Sequence, residues 1–120
     1  MLRVLLVEDN KIYRKVFKEG LAERFPAVVI DEAETGEEAL RKIHDLPPAL
    51  IFMDIRLPGE NGLQLTRRIK DDFPNIRIAV LTGYDMPEYR HAAAQSGAEA
   101  FFVKQLVNWN EVEALVESAG

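Results

Sequence analysis

The chain is 120 residues long, 48% apolar and 29% charged, with a formal net charge of −5 and no cysteine. That length suits one domain able to bury a core, and the negative charge leaves no basic footprint for nucleic acid. Disulfides, thiolate metal sites and cysteine nucleophiles are excluded, His44 and His91 stand too far apart to suggest a metal cluster, and no run nears the roughly 18 apolar residues of a membrane span.

The amino terminus enters an apolar strand at once instead of a signal peptide, so the expected location is the cytoplasm. Val4-Leu5-Leu6-Val7 reads as that strand, ended by Glu8-Asp9-Asn10. From Lys11 to Phe25 a helical spacing puts Ile12, Val16, Leu21 and Phe25 near one face, with Tyr13 and Phe17 beside them, and Pro26 closes it. Val28-Val29-Ile30 is strand-like, and Gly36 to His44 is a short helix carrying Ala39, Leu40 and Ile43. Leu50-Ile51-Phe52-Met53 then runs straight into Asp54. Set between Pro47-Pro48 and Leu57-Pro58-Gly59, so short an apolar run reads as a strand buried on both faces of a parallel sheet.

A loop from Arg56 to Asn61 leads to a helix reaching Phe73, with Leu63, Leu65, Ile69 and Phe73 as its apolar positions. Ile76 to Leu81 is the fourth strand and delivers Thr82-Gly83 to its end. The helix expected from Pro87 to Ser96 is polar and alanine-rich, so it should pack lightly. Ala100-Phe101-Phe102-Val103 is the fifth strand, with Lys104 at its end, and a last helix carries Trp109, Val112, Leu115, Val116 and Ala119. Strands alternating with helices predict an α/β fold with a doubly wound parallel sheet and right-handed crossovers.

In such sheets ligands bind outside the carboxyl ends of the strands. Glu8-Asp9, Asp54, Thr82 and Lys104 all belong to that edge. Taken singly, each has a plain reading: a helix cap for Glu8-Asp9-Asn10, a turn for Thr82-Gly83, a solvated strand end for Lys104. Asp54 is harder to dismiss, because a buried strand seldom ends in a charge without a partner. Gathered on one edge, three carboxylates repel one another until a proton or a cation relieves them. Magnesium, which takes one or two carboxylates plus phosphate oxygens, is the natural cation. With a lysine and a hydroxyl at hand, the edge has the makings of a phosphoryl site.

The sequence resembles the receiver domains of two-component response regulators over essentially all of residues 1–120. The resemblance rests on Val7-Glu8-Asp9, on Met53 through Gly62, on Leu81-Thr82-Gly83 and on Gly97 through Lys104. It implies a flavodoxin-like fold of five strand–helix units, a five-stranded parallel sheet in the order 2-1-3-4-5, and a single receiver domain. Asp54 would accept a phosphoryl group from a sensor histidine kinase or a histidine phosphotransfer protein. Asp9, Asp54 and the backbone carbonyl of Arg56 would bind Mg2+, with Glu8 acting through water. Lys104 would pair with Asp54 and then with the phosphoryl group, Thr82 would donate to another phosphoryl oxygen, and Gly83 would leave it room. Thr82 and Phe101 would form the switch, read out at the face of the fourth helix, fifth strand and fifth helix by an output domain or a downstream protein. This implies a signalling module that catalyses only its own phosphorylation and dephosphorylation, without membrane or nucleic-acid contact by this domain alone. Kinase specificity would lie on first-helix residues such as Lys11, Arg14, Lys15 and Lys18, and a homodimer through Tyr89, Arg90 or the fifth helix is conceivable.

The sequence also departs from the family. Gln105 stands where most relatives have a proline joined by a cis peptide, and a cis bond to a non-proline costs about 2.5–4 kcal/mol. A trans Lys104–Gln105 bond and a rearranged loop are therefore expected. Glu8 replaces the commoner aspartate. Arg56 and Tyr84, two residues past Asp54 and Thr82, are both large and occupy the positions that flank the route of a hydrolytic water in relatives, so the resemblance implies that an acyl phosphate on Asp54 should be longer-lived. The alternative is an adaptor that binds partners without phosphorylation. Against a phosphohydrolase, this chain has Arg56 where such families usually place a second acid two residues after the nucleophile, and against a flavin carrier it has no phosphate-cradling loop after the first strand, only Glu8-Asp9.

Overall fold

The computed structural model describes residues 2–120. Strands β1 (Arg3–Val7), β2 (Val29–Ala33), β3 (Leu50–Asp54), β4 (Arg77–Thr82) and β5 (Ala100–Val103) alternate with helices α1 (Lys11–Arg24), α2 (Gly36–Asp45), α3 (Gly62–Asp72), α4 (Pro87–Gln95) and α5 (Trp109–Ala119). All five strands are parallel and lie in the order β2-β1-β3-β4-β5, as the resemblance implied. Two short segments, Arg56–Leu57 and Glu60–Asn61, pair antiparallel in a hairpin outside the sheet.

Period-two alternation divides each strand between two cores. On one face Leu5, Val7, Ile51, Met53 and Ile78 meet Ala39 and Ile43 of α2 and Leu65 and Ile69 of α3. On the other, Val4, Leu6, Leu50, Phe52, Ala79 and Leu81 meet Phe17 and Leu21 of α1 and Val112 and Val116 of α5. Central β3 is buried along its whole length. A smaller cluster of Ile55, Val80 and Ala93 sits under α4, whose only buried residue is Ala93. That helix packs lightly, as its composition implied.

Two elements differ from the sequence reading, and a third agrees with it. In α1 the inward stripe is Tyr13, Phe17 and Leu21, whereas Ile12 and Val16 are 79% and 59% exposed. The Asn10 side chain accepts from the N–H groups of Ile12 and Tyr13 and so starts the helix. From that start the three residues 13, 17 and 21, spaced four apart, face the sheet, where Phe17 packs edge-on against Phe52 with ring centroids 5.0 Å apart. Second, β2 begins at Val29, not Val28, and runs on through Asp31 and Glu32. An edge strand tolerates these charges because Lys42 pairs with Asp31 at 3.1 Å, and Arg14 and Lys18 pair with Glu32 at 3.0 and 2.9 Å. Third, the chain leaves β5 through a 3-10 turn, Lys104–Leu106. No peptide among the described residues is cis, so the Lys104–Gln105 bond is trans as expected.

Candidate functional site

Because the strands are parallel, their carboxyl ends share one edge. Glu8 and Asp9 leave β1, Asp54 and Thr82 are the last residues of β3 and β4, and Lys104 follows β5. Glu8, Asp54 and Thr82 are buried, while Asp9 lies at the surface. Carboxylate oxygens of Glu8, Asp9 and Asp54 all lie within 4.8 Å of one another. Lys104 Nζ stands 3.2 Å from Asp54 Oδ2 and 2.5 Å from Glu8 Oε1.

Burial pushes the Glu8 carboxyl up from 4.5 to about 7, and the nearby Asp54 charge adds to this against the pull of Lys104 and the Asn10 N–H. For Lys104, burial alone would lower the ammonium, but Glu8 and Asp54 outweigh it and hold the group above its ordinary value. Glu8 Oε2 accepts from the Asn10 N–H at 3.0 Å. Glu8 Oε1 is buried with no hydrogen-bond partner, since Lys104 approaches it closely without the geometry of a hydrogen bond. Three carboxylates whose oxygens lie within 4.8 Å of one another, sharing the single ammonium of Lys104, suit a hard divalent cation, whose preferred ligands are oxygens.

Local structure fixes these groups. A Cβ on Gly62 would fall 1.9 Å from the Asp54 carbonyl oxygen, so only glycine lets α3 begin this close to the end of β3. The Gly62 N–H donates to the Ile55 carbonyl at 2.7 Å. Asp54 Oδ1 accepts from the Arg56 N–H at 3.3 Å, and Thr82 Oγ1 accepts from the Tyr84 N–H at 3.2 Å, leaving the hydroxyl proton free to be donated. Beside Gly83, the only atom within 4 Å of a would-be Cβ is Gln105 Nε2 at 3.7 Å, so the space there is open. At the rim, the Arg56 guanidinium lies 4.1 Å over the Tyr84 ring, and Tyr84 meets Tyr89 edge-on at 6.4 Å.

All the acidic and basic site residues expected from the sequence thus converge. Phe101 is half-buried on β5 beneath Arg90, whose guanidinium lies 4.7 Å over its ring. Of the first-helix residues expected to be exposed, Arg14 is the exception: its side chain is mostly buried, donating to the Glu8 carbonyl and to Glu32 and Glu34, whereas Lys18 pairs with Glu32 with its side chain still 42% exposed. Lys11 and Lys15 do lie at the surface, together with Ile12 and Val16. The contact of Tyr89 with the Arg56–Tyr84 pair was missed, because four residues of unpatterned loop and helix start, Asp85 to Glu88, separate Tyr84 from Tyr89.

The family described as "Response regulator receiver domain" matches residues 4–117. The chain belongs to the response regulator receiver family. Among its relatives, the response regulator protein VraR of Staphylococcus saprophyticus is 31% identical over 103 residues, which cover 86% of this chain and 49% of VraR. The uncharacterized transcriptional regulatory protein YhcZ of Bacillus subtilis is 33% identical over 117 residues, 98% of this chain and 53% of YhcZ. This receiver domain therefore spans about half the length of these curated relatives. Among solved structures, the response regulator TrrA from Thermotoga maritima in complex with Mg(2+)-BeF superposes with a TM-score of 0.86 at 33% identity, covering 100% of both chains. A signal receiver domain from Colwellia psychrerythraea superposes with a TM-score of 0.91 at 25% identity, covering 98% of this chain and 97% of that one. Receiver domains of response regulators work in two-component signalling. Among the described residues, no helix is long and apolar enough to cross a membrane.

Proposed function

We propose that this receiver domain accepts a phosphoryl group on Asp54 from a phosphohistidine of a sensor histidine kinase or a histidine phosphotransfer protein, and passes the signal on through α4, β5 and α5. The observation that carries this reading is a buried Asp54 carboxylate with Lys104 Nζ at 3.2 Å, beside Glu8 and Asp9. An Asp54 carboxylate oxygen attacks phosphorus, the bond from phosphorus to the imidazole nitrogen breaks, and its electron pair leaves with the imidazole. Lys104 then balances charge on a phosphoryl oxygen, and the Thr82 hydroxyl donates to another. The open space at Gly83 admits the group. Asp9, Asp54 and the Arg56 carbonyl would hold Mg2+, with Glu8 acting through water. When bound, the cation offsets the carboxylate charge that would otherwise repel an incoming phosphoryl group.

Movement of Thr82 toward the phosphoryl group draws in the loop 83–86 ahead of α4 and vacates space for Phe101 to turn inward. The result is a population shift on the α4-β5-α5 face, read by an output domain or a partner protein. At the other side of the site, Lys11 and Lys15 with the exposed apolar pair Ile12 and Val16 form a surface suited to a phosphodonor protein. The domain turns over no external substrate, and it works in the cytoplasm.

The test is intact-mass spectrometry after incubation with acetyl phosphate, with and without magnesium, on the wild type and on Asp54→Ala. One phosphoryl addition that requires magnesium and disappears in the variant is expected. A folded wild type that gains no mass would overturn the reading in favour of an adaptor acting unphosphorylated.

A further inference from the structure

Lys104 is the only cation paired with Asp54 among the described residues, yet its own loop does little to fix it. The peptide to Gln105 is trans, the 3-10 turn that follows has no side-chain cap, and Gln105 and Leu106 are exposed. Restraint comes instead from α1. The Tyr13 hydroxyl donates to the Lys104 carbonyl oxygen across 3.3 Å, and the Tyr13 ring lies 5.0 Å from Lys104 Nζ, on the side toward which its face attracts a cation. One side chain thus touches the lysine at both its backbone and its ammonium.

Tyr13 is itself well held. Its N–H donates to the capping Asn10 side chain at 3.0 Å. Its ring stacks on Phe17 with centroids 6.1 Å apart, and Phe17 is wedged between Phe52 and Trp109. Burial, with the charges of Glu8 and Asp54, raises the Tyr13 hydroxyl far above its ordinary value, so it remains a proton donor wherever the protein is folded.

We propose that Tyr13 is a positioning residue that aims the Lys104 ammonium at Asp54 and at the phosphoryl oxygen that follows. The proposal rests on the reading of Asp54 as the phosphoacceptor. A plain core residue at this place would need only the ring, because phenylalanine fills the same volume against Phe17. The hydroxyl is what separates the two roles.

The experiment compares the wild type, Tyr13→Phe and Tyr13→Leu in their phosphorylation by acetyl phosphate with magnesium, followed by intact mass over a range of donor concentrations. Magnesium affinity, the thermal midpoint and the Lys104 Cε resonance are measured on the same samples. Tyr13→Phe is expected to lower the saturating rate about three- to tenfold, the effect of losing one neutral hydrogen bond, and to move the Lys104 resonance. Its magnesium affinity should stay at the wild-type value, and its thermal midpoint should fall by no more than the few degrees that one hydrogen bond supports. Tyr13→Leu, which also loses the ring, should be slower still. A Tyr13→Phe variant with wild-type rate and an unmoved Lys104 resonance overturns the proposal, as does a rate that falls only in step with the thermal midpoint. If the wild type itself gains no phosphoryl group, the reading of Asp54 has failed instead, and the Lys104 resonance alone decides whether Tyr13 orients the lysine.

Discussion

Glu8 is electrostatically strained: it is 0% exposed, its Oε1 meets the Lys104 ammonium without hydrogen-bond geometry, and its carboxyl is raised from 4.5 to about 7. Between those two values the folded protein keeps a proton that the unfolded chain has already released. Stability contributed at Glu8 is therefore full below about pH 4.5, falls as pH rises, and is lost above about pH 7. Asp31 and Glu32 have the opposite sign. Asp31 is lowered because Lys42 and the Glu32 N–H overcome its burial, and Glu32 is lowered by Lys18. Their contribution is lost only as pH falls below the ordinary carboxylate range. In urea with a chelator present, the domain should thus be more stable at pH 5.5 than at pH 8, and Glu8→Gln should flatten that slope. A slope that survives the substitution would place its origin elsewhere. Saturating magnesium should also shrink it, since the cation favours the ionised carboxylate.

The rim of the site supports a second expectation. Arg56 is stacked on Tyr84, with Tyr89 edge-on to the same ring, and Arg56 and Tyr84 stand two positions past Asp54 and Thr82, where the family resemblance puts the route of a hydrolytic water. The Arg56→Ala, Tyr84→Ala double variant should lose its acyl phosphate several-fold faster than the wild type, measured by mass after removal of the donor. An unchanged or slower decay contradicts the shielding role.

Among the elements, α1 shows how two local rules compete. Gly20 lies in the middle of that helix, where alanine would be favoured by about 1 kcal/mol. A Cβ there would fall 2.6 Å from two atoms of the Trp109 indole. The indole has little freedom to retreat, being tilted against Phe17 at 5.1 Å and covered by Arg24 at 4.3 Å. Overpacking of about 1–3 kcal/mol should outweigh the propensity gain. Gly20→Ala is therefore expected to lower the denaturation midpoint, and a rise would show that α5 shifts freely over α1. The same helix marks the limit of what sequence patterning reveals. Strands β1 and β3 were legible because both their faces are buried, which leaves nothing but apolar residues to read. The site residues were legible because parallel strands bring their carboxyl ends to one edge whatever the loops do. The inward face of α1 was not, because Ile12 and Val16 are as apolar as the aromatic stripe, and only the Asn10 cap and the volume of Phe17 decide between them. The charged half of β2 was hidden for a related reason: its partners lie on α1 and α2, distant in sequence.

Across the whole molecule the packing is uneven, and the uneven part is the face through which the signal is proposed to travel. Two cores clasp the central strands between α2 and α3 on one face and α1 and α5 on the other. Helix α4 has only Ala93 buried and no side-chain cap at its amino end. Arg90 on this helix lies over Phe101 of β5 and pairs with Asp85 of the preceding loop at 2.9 Å, so loop, helix and strand are linked through one guanidinium. Local opening is easiest where few apolar contacts must be broken, and a ligand shifts such an equilibrium only by binding one state better than the other. Hydrogen exchange should therefore be fastest, among the helices, in α4, and slow in β1, β3 and α3. Adding magnesium with beryllium fluoride, as a stand-in for the phosphoryl group on Asp54, should change protection in residues 83–96 and in β5, and leave α2 and β2 as they were. Equal protection of α4 and α3 in the free domain would contradict the packing argument. A change confined to the Asp54 loop, with α4 and β5 unaltered, would break the proposed route from Thr82 to Phe101 while leaving the phosphoacceptor intact.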